Sequence, residues 1–278
     1  MNKISKLSYC FFFNGERGLE VLKQFNNKKF KILNVFVAKK FLKPHILKNI
    51  SKKINFELID NLNQQIIIDT LKNVDIALSC GFPLIFKKSI INLPRLGFLN
   101  CHAGILPKYR GGSPLNWQLI NCEKTFGISV IKVNHKVDGG DIFSERKFII
   151  KKDYDINKLH KIANKNFPQM IMEAIKKIVD NKKPKKQRKK GIIWKQRNKN
   201  DSKFDFKTKT FSQADRFVKA LQHPYPNAFF YFKSIKYEII KVVKSRKKLN
   251  PGDIFLKSRT MHLGLKNSTV EVKFKTSL

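Results

Sequence analysis

The sequence predicts an α/β chain: a mostly parallel, doubly wound sheet followed by a small antiparallel β domain. Three observations carry that prediction. Short apolar runs alternate with longer amphipathic stretches over residues 1–180 of the 278. A basic block then interrupts the pattern, and β-like runs separated by turn signals complete the chain. Regular strand–helix alternation marks a parallel sheet, whereas consecutive short strands mark an antiparallel one.

The elements can be read in order. KLSYCFFF (6–13) is an apolar run of strand length, GERGLEVLKQF (15–25) has helical periodicity, and KILNVFVA (31–38) is a second strand. NLNQQIIIDTLKNV (61–74) gives a helix, DIALSCGF (75–82) a third strand and RLGFLNCHA (95–103) a fourth. GISVIKVN (127–134) alternates as a strand does, and residues 158–181 form a long amphipathic helix. Residues 181–200 hold ten basic side chains, Pro184 and no acid, the composition of a solvated linker. Beyond it SQADRFVKALQ (212–222) reads as a short helix. AFFYF, YEIIKVV, DIFLKS, MHLGLK and TVEVKFK then read as strands of a small barrel or sheet. The predicted division is a catalytic domain over 1–180, a basic linker over 181–206 and a small β domain over 207–278.

Composition narrows the class. Hydrophobic residues make up 42%, enough for a core. No apolar run reaches the 18 or so residues that a membrane helix needs. The apolar start breaks off at Asn14-Gly15, so it is read as a buried strand of a cytoplasmic protein, not a signal segment. The four cysteines form no CxxC pair and have no histidine at ligand spacing, so reduced thiols and no metal are expected. Net charge is +38, but 49 of the 58 basic residues are Lys, alongside abundant Asn, Ile and Phe. That mixture follows from AT-rich codon usage, whereas a nucleic-acid surface favours the planar fork of Arg.

Chemistry concentrates in residues 99–143. Asn100-Cys101-His102 ends a strand, and sites in doubly wound sheets lie outside such carboxyl ends. A loop follows, Leu106-Pro107-Lys108-Tyr109-Arg110-Gly111, and then the turn Val137-Asp138-Gly139-Gly140-Asp141. In these motifs, in this order and spacing, the chain resembles the formyltransferase family. That family includes glycinamide ribonucleotide transformylase, methionyl-tRNA formyltransferase and the sugar-nucleotide N-formyltransferases. Similar stretches extend the resemblance: SCGFPLIFKKSIINLPRLGFLN (79–100) before the Asn, then RNKNDSKFDF (197–206) and VKALQHPYPNAFFYF (218–232) at the start of the second domain.

The resemblance implies a Rossmann-like domain followed by an OB-like barrel, and transfer of a formyl group from 10-formyltetrahydrofolate to a primary amine without a metal. Asn100 and His102 would donate to the developing oxyanion, each such donor being worth about 10²–10³ in rate. Asp138 would orient His102, favour its charged form and relay the amine's proton. Backbone groups of Gly81, Phe82, Pro83 and Leu84 would hold the pterin, approached closely from the other side by Val137, Gly139, Gly140 and Asp141. A homodimer built through the C-terminal domain is implied on the same basis. Two departures stand out: His102 is followed by Ala103-Gly104 where the family has Gly-Ser or Pro-Ser, and KNSTVEVKFKTSL (266–278) replaces a longer barrel terminus.

Two acceptors compete. VFVAKKFLKPHILKNISKKINFELID (35–60) carries no Gly- and Arg-rich insertion of the kind the tRNA enzymes use, and is read as short and helical. KYRGGSPLNWQLIN (108–121) is similar to the sugar-nucleotide enzymes. An amino-sugar nucleotide is therefore favoured over methionyl-tRNA, with Lys108, Tyr109 and Arg110 facing the acceptor or its phosphates. The alternative for Arg110 is a brace bonded to backbone carbonyls. In the tRNA case the 181–200 block would track phosphates. Asn116 and Trp117 are read as starting the next helix, with Trp117 against the sheet. His135 is read as surface, and His45, His160, His223 and His262 as structural.

Overall fold

The computed structural model describes residues 3–27, 30–42, 48, 56–187 and 191–277. Residues 43–47 and 49–55 of the 35–60 stretch, His45 among them, lie outside the described residues. The chain divides into two compact units. One comprises Met1–Arg110, Gly127–Lys147 and Lys161–Ile193; the other comprises Gly111–Phe126, Phe148–His160 and Trp194–Leu278.

The first unit is built on a seven-stranded sheet. Its strands are β1 (Ser8–Phe13), β2 (Lys31–Ala38), β3 (Glu57–Ile59), β4 (Ile76–Cys80) and β5 (Gly97–His102), then β7 (Thr125–Lys132) and β8 (Ile142–Ile149). The intervening β6 (Arg110–Gly111) pairs instead with β9 (Ile193–Trp194). The spatial order is β3-β2-β1-β4-β5-β7-β8. Pairing is parallel from β3 to β5 and antiparallel between β5 and β7. The chain thus reverses its direction of winding between β1 and β4, the place where such sheets open a crevice.

All six residues of β1 are buried, because a parallel sheet covered on both faces needs apolar side chains on both. On one face Tyr9 and Phe11 meet Phe25 of α1 (Glu16–Asn27) edge-on, at 4.9 and 5.0 Å between ring centres. On the other, Phe12 stacks on Phe36 at 4.8 Å and meets Phe82, Phe86 and Phe98 within 5.5 Å. Each buried Phe contributes about 1.5–3 kcal/mol. This aromatic cluster is therefore what holds the strand ends in place. The register then aligns the site: Ser79 of β4 faces Asn100 of β5, so Cys80-Gly81 and Cys101-His102 emerge at one edge.

The second unit carries the small C-terminal domain in open, half-barrel form. Its strands are β10 (Ala228–Phe232), β11 (Ile235–Lys244), β12 (Ile254–Lys257), β13 (Thr260–Gly264) and β14 (Thr269–Ser277), in the order β10-β11-β14-β13-β12. Lys233 and Ser234 join β10 to β11 with positive φ at both positions, the twist that two-residue hairpins prefer. Thr210 caps the helix Phe211–Lys219 through a capping box with Gln213.

Lys185 of the basic block and Ile142 exchange backbone hydrogen bonds of 2.8 and 2.9 Å, and Arg110 donates its backbone N–H to Ile192 at 3.1 Å. Lys185 and Ile192 are thus tied by backbone bonds, while most of the block's described side chains are exposed. Trp117 lies in the helix Pro114–Ile120, as the sequence placed it, and meets Trp194 at 4.9 Å, with Arg197 over its ring. No helix among the described residues is long and apolar enough to cross a membrane.

Candidate active site

Asn100 and His102 sit two residues apart at the end of β5, so their side chains leave the same face. Asp138 approaches from the loop after β7, in a left-handed conformation at φ 45°. Its carboxylate bridges the pair: Oδ2 lies 3.3 Å from His102 Nδ1, and Oδ1 accepts from Asn100 Nδ2 at 3.3 Å. His102 is buried at 5% exposure. Its Nε2 lies 2.5 Å from the Tyr109 carbonyl oxygen. A carbonyl only accepts, so Nε2 holds a proton in this arrangement. The imidazole N–H expected to reach an oxyanion is therefore turned onto the protein.

Gly140 fixes the turn's path. A Cβ there would overlap the Lys132 carbonyl, so only glycine lets the turn fold back onto β7. Lys132 in turn donates its N–H to the Asp141 carbonyl at 2.9 Å. Gly139 donates to the Lys136 carbonyl at 3.0 Å, and Val137 is exposed. Opposite, Gly81 has φ 72° and Pro83 is exposed. Phe82 and Leu84 turn inward onto the aromatic core, which leaves the backbone as the outward surface of that loop.

The Lys108–Arg110 stretch departs from the acceptor-contact expectation at two of its three residues. Lys108 is exposed, but Tyr109 is fully buried and Arg110 is only 8% exposed. Arg110 donates Nε and Nη2 to the Gln187 side-chain oxygen at 3.0 and 2.8 Å. It acts as a brace, bonded to the side-chain amide of Gln187. A buried guanidinium needs acceptors, and Gln187 supplies one from inside the basic block.

Cys80 and Cys101 lie beside this edge, their sulfurs 3.6 Å apart. Burial, and then the Cys80 thiol, push the Cys101 thiol well above its ordinary value. It is no thiolate nucleophile. Among the described residues no cluster of three or more His, Cys, Asp or Glu could hold a metal.

Two residues escape the sequence reading. Gln187 is one. Arg17 is the other: it stands in the first turn after β1, donates Nη1 to the Cys101 carbonyl at 3.4 Å and lies over the Phe167 ring. Its signal was positional, since it follows the strand end at the sheet's reversal point.

A doubly wound sheet with a polar triangle at its carboxyl edge, followed by an antiparallel half-barrel, defines a class that binds its ligands outside the strand ends. Family comparison makes the class specific. The formyl transferase family model matches residues 32–175, and the model of the formyl transferase C-terminal domain matches residues 197–274. The chain belongs to the formyl transferase family. It is 29% identical over 180 residues to a methionyl-tRNA formyltransferase of Malacoplasma penetrans, covering 63% of this chain and 56% of the relative. It is also 29% identical over 266 residues to the bifunctional polymyxin resistance protein ArnA of Wigglesworthia glossinidia brevipalpis, covering 87% of this chain and 39% of that one. The chain therefore spans only about half, or less, of these relatives. In fold it is similar to the N-formyltransferase of Helicobacter canadensis, crystallised with folinic acid and dTDP-3-aminofucose. There the TM-score is 0.72 at 17% identity, over 96% of this chain and 98% of that one.

Proposed function

We propose that the chain transfers a formyl group from 10-formyltetrahydrofolate to a primary amine, and that the amine belongs to an amino-sugar nucleotide. The observation that carries the reading is the bridging of Asn100 and His102 by one carboxylate at the carboxyl edge of the sheet. The amine nitrogen forms a bond to the formyl carbon, and the bond from that carbon to N10 of the folate breaks. Asp138 takes the amine's proton and passes it to N10, which leaves protonated. Asn100 gives one N–H to Asp138 and directs the other to the oxyanion. His102 holds the carboxylate from its other side and joins the oxyanion if its ring releases Tyr109. The outward backbone of residues 81–84 and the turn at 137–141 form the pterin walls.

The absence of a Gly- and Arg-rich insertion in the sequence after β2, and the KYRGGSPLNWQLIN stretch, support a sugar nucleotide. So does the likeness of fold to the N-formyltransferase crystallised with dTDP-3-aminofucose. Methionyl-tRNA is the second reading, favoured by the number of relatives that bear that activity's name. The test is release of tetrahydrofolate from 10-formyltetrahydrofolate with a panel of UDP-, GDP- and dTDP-linked amino sugars and, separately, with methionyl-tRNA. Turnover with a sugar nucleotide, lost in His102→Ala, is the expected result. Turnover with methionyl-tRNA alone would replace the acceptor, and silence with both would overturn the reading.

A further inference from the structure

Gln187 sits in a lysine-rich stretch that gives no hint of a role, yet its side-chain amide makes four hydrogen bonds at the site. Its oxygen accepts from Arg110 Nε and Nη2 at 3.0 and 2.8 Å. Its Nε2 donates to the backbone carbonyls of Asp138 and Gly140, at 2.8 and 2.6 Å. Both hydrogens and the oxygen of one amide are thus committed, and they join the loop carrying Arg110 to the turn carrying Asp138.

The chain on either side is fixed for this task. Two residues before, Lys185 exchanges backbone hydrogen bonds with Ile142. Five residues after, Ile192 accepts from the Arg110 backbone. Between them Gly191 passes so close that a Cβ there would sit 3.0 Å from the Arg110 guanidinium carbon and 2.7 Å from the Pro107 carbonyl oxygen. Gly191 thus lies against Arg110 where a larger residue would not fit.

The turn's conformation decides where the Asp138 carboxylate sits. Its side chain meets Asn100 and His102 at 3.3 Å each, and its backbone holds a left-handed conformation unfavourable for a residue with a Cβ. A small change in the turn moves the carboxylate out of reach of His102 or Asn100.

We infer that Gln187 is a positioning residue, which clamps the Asp138–Gly140 turn to Arg110 and so sets the carboxylate between Asn100 and His102. The inference rests on the proposed function of that carboxylate.

Gln187→Glu separates the two halves of the clamp. It keeps an acceptor for Arg110 but removes the donor to the two carbonyls and sets a negative charge against them. With the acceptor that the wild type formylates, kcat falls about 10- to 100-fold in Gln187→Glu and Gln187→Ala. KM for 10-formyltetrahydrofolate and for the acceptor, and the melting temperature of the Glu variant, stay close to wild type. In an Asp138→Asn background the Gln187→Glu effect on kcat shrinks to about twofold or less, because the two changes act through one group. Spectra of the ¹⁵N-labelled histidines give an acceptor-free readout: the His102 ring signals move in Gln187→Glu while those of the other five stay.

Wild-type kcat and unmoved His102 signals in Gln187→Glu would overturn the inference. So would a loss of kcat that is undiminished in the Asp138→Asn background, since that marks a general structural role. If Asp138→Asn alone leaves kcat unchanged, it is the proposed function that fails, and the His102 spectra then decide the clamp by themselves.

Discussion

Two carboxylates stand at opposite ends of the first unit's sheet, and they are held in different ways. Asp75 lies just before β4, at the amino edge. It accepts from the Ser8 amide at 2.8 Å, the Ser8 hydroxyl at 3.1 Å and the Arg95 Nε at 2.6 Å. Burial pushes its carboxyl up, but these donors together hold it below the usual carboxylate value. Asp138, at the carboxyl edge, meets Asn100 and His102 at 3.3 Å each. The first acid is tied by short bonds to backbone and cation, and fastens β1 to β4. The second bridges two side chains of the candidate site at longer range. Short bonds fix the fold; the longer contacts stand where the proposed chemistry needs a carboxylate to exchange a proton.

Substitutions can break or sharpen this contrast. The largest effect is expected at Asp138→Asn, which keeps shape but removes the base: kcat drops by about 10²–10⁴, with thermal melting little changed. A large loss of melting temperature would assign Asp138 to the fold instead. Asn100→Ala should follow at about 10² in kcat, read in the same tetrahydrofolate-release assay. Asp75→Asn should do the reverse. It leaves kcat alone and lowers stability by about 1–2 kcal/mol in urea unfolding at neutral pH, the solvent-exposed Arg95 arm adding little. The smallest effect is the pH dependence of that loss. A lowered folded-state value means Asp75 stabilises the fold above the ordinary carboxylate range and ceases to do so as pH falls through its own value. The gap between wild type and Asp75→Asn should therefore be full at neutral pH and close below about pH 4. A gap that widens on acidification would sink the assignment.

Much of the fold was legible because the sheet is parallel and buried on both faces. KLSYCFFF, KILNVFVA and DIALSCGF are near-continuous apolar runs, and the structure makes them β1, β2 and β4. β8 was missed for the opposite reason: its outer half sets three charged residues in a row, Glu145, Arg146 and Lys147, and Glu145 and Lys147 are exposed. β3 has only three residues, too few for a periodic signal. In the site, the Asn100–His102–Asp138 set could be read because it lies in short motifs with fixed spacing. The Tyr109 carbonyl over His102, and Gln187 beneath Arg110, could not. One is a backbone atom without side-chain identity, and the other is an amide within a run of lysines that looks solvated. The backbone ties of Lys185 and Ile192 were hidden likewise, since charge density says nothing of which residues between the charges pair with backbone.

The tilted, close pair Trp117 and Trp194 has a practical consequence. They are the chain's two tryptophans, both belong to the second unit, and Arg197 covers one of them. At 4.9 Å their transitions couple, so the far-ultraviolet dichroism should carry a paired positive and negative band that vanishes when the pair separates. Tryptophan emission accordingly reports on one unit only, while the phenylalanine-rich sheet beneath the site is silent to it. Any unfolding curve recorded by fluorescence alone would time the release of the C-terminal unit and miss the sheet, which backbone dichroism would have to follow.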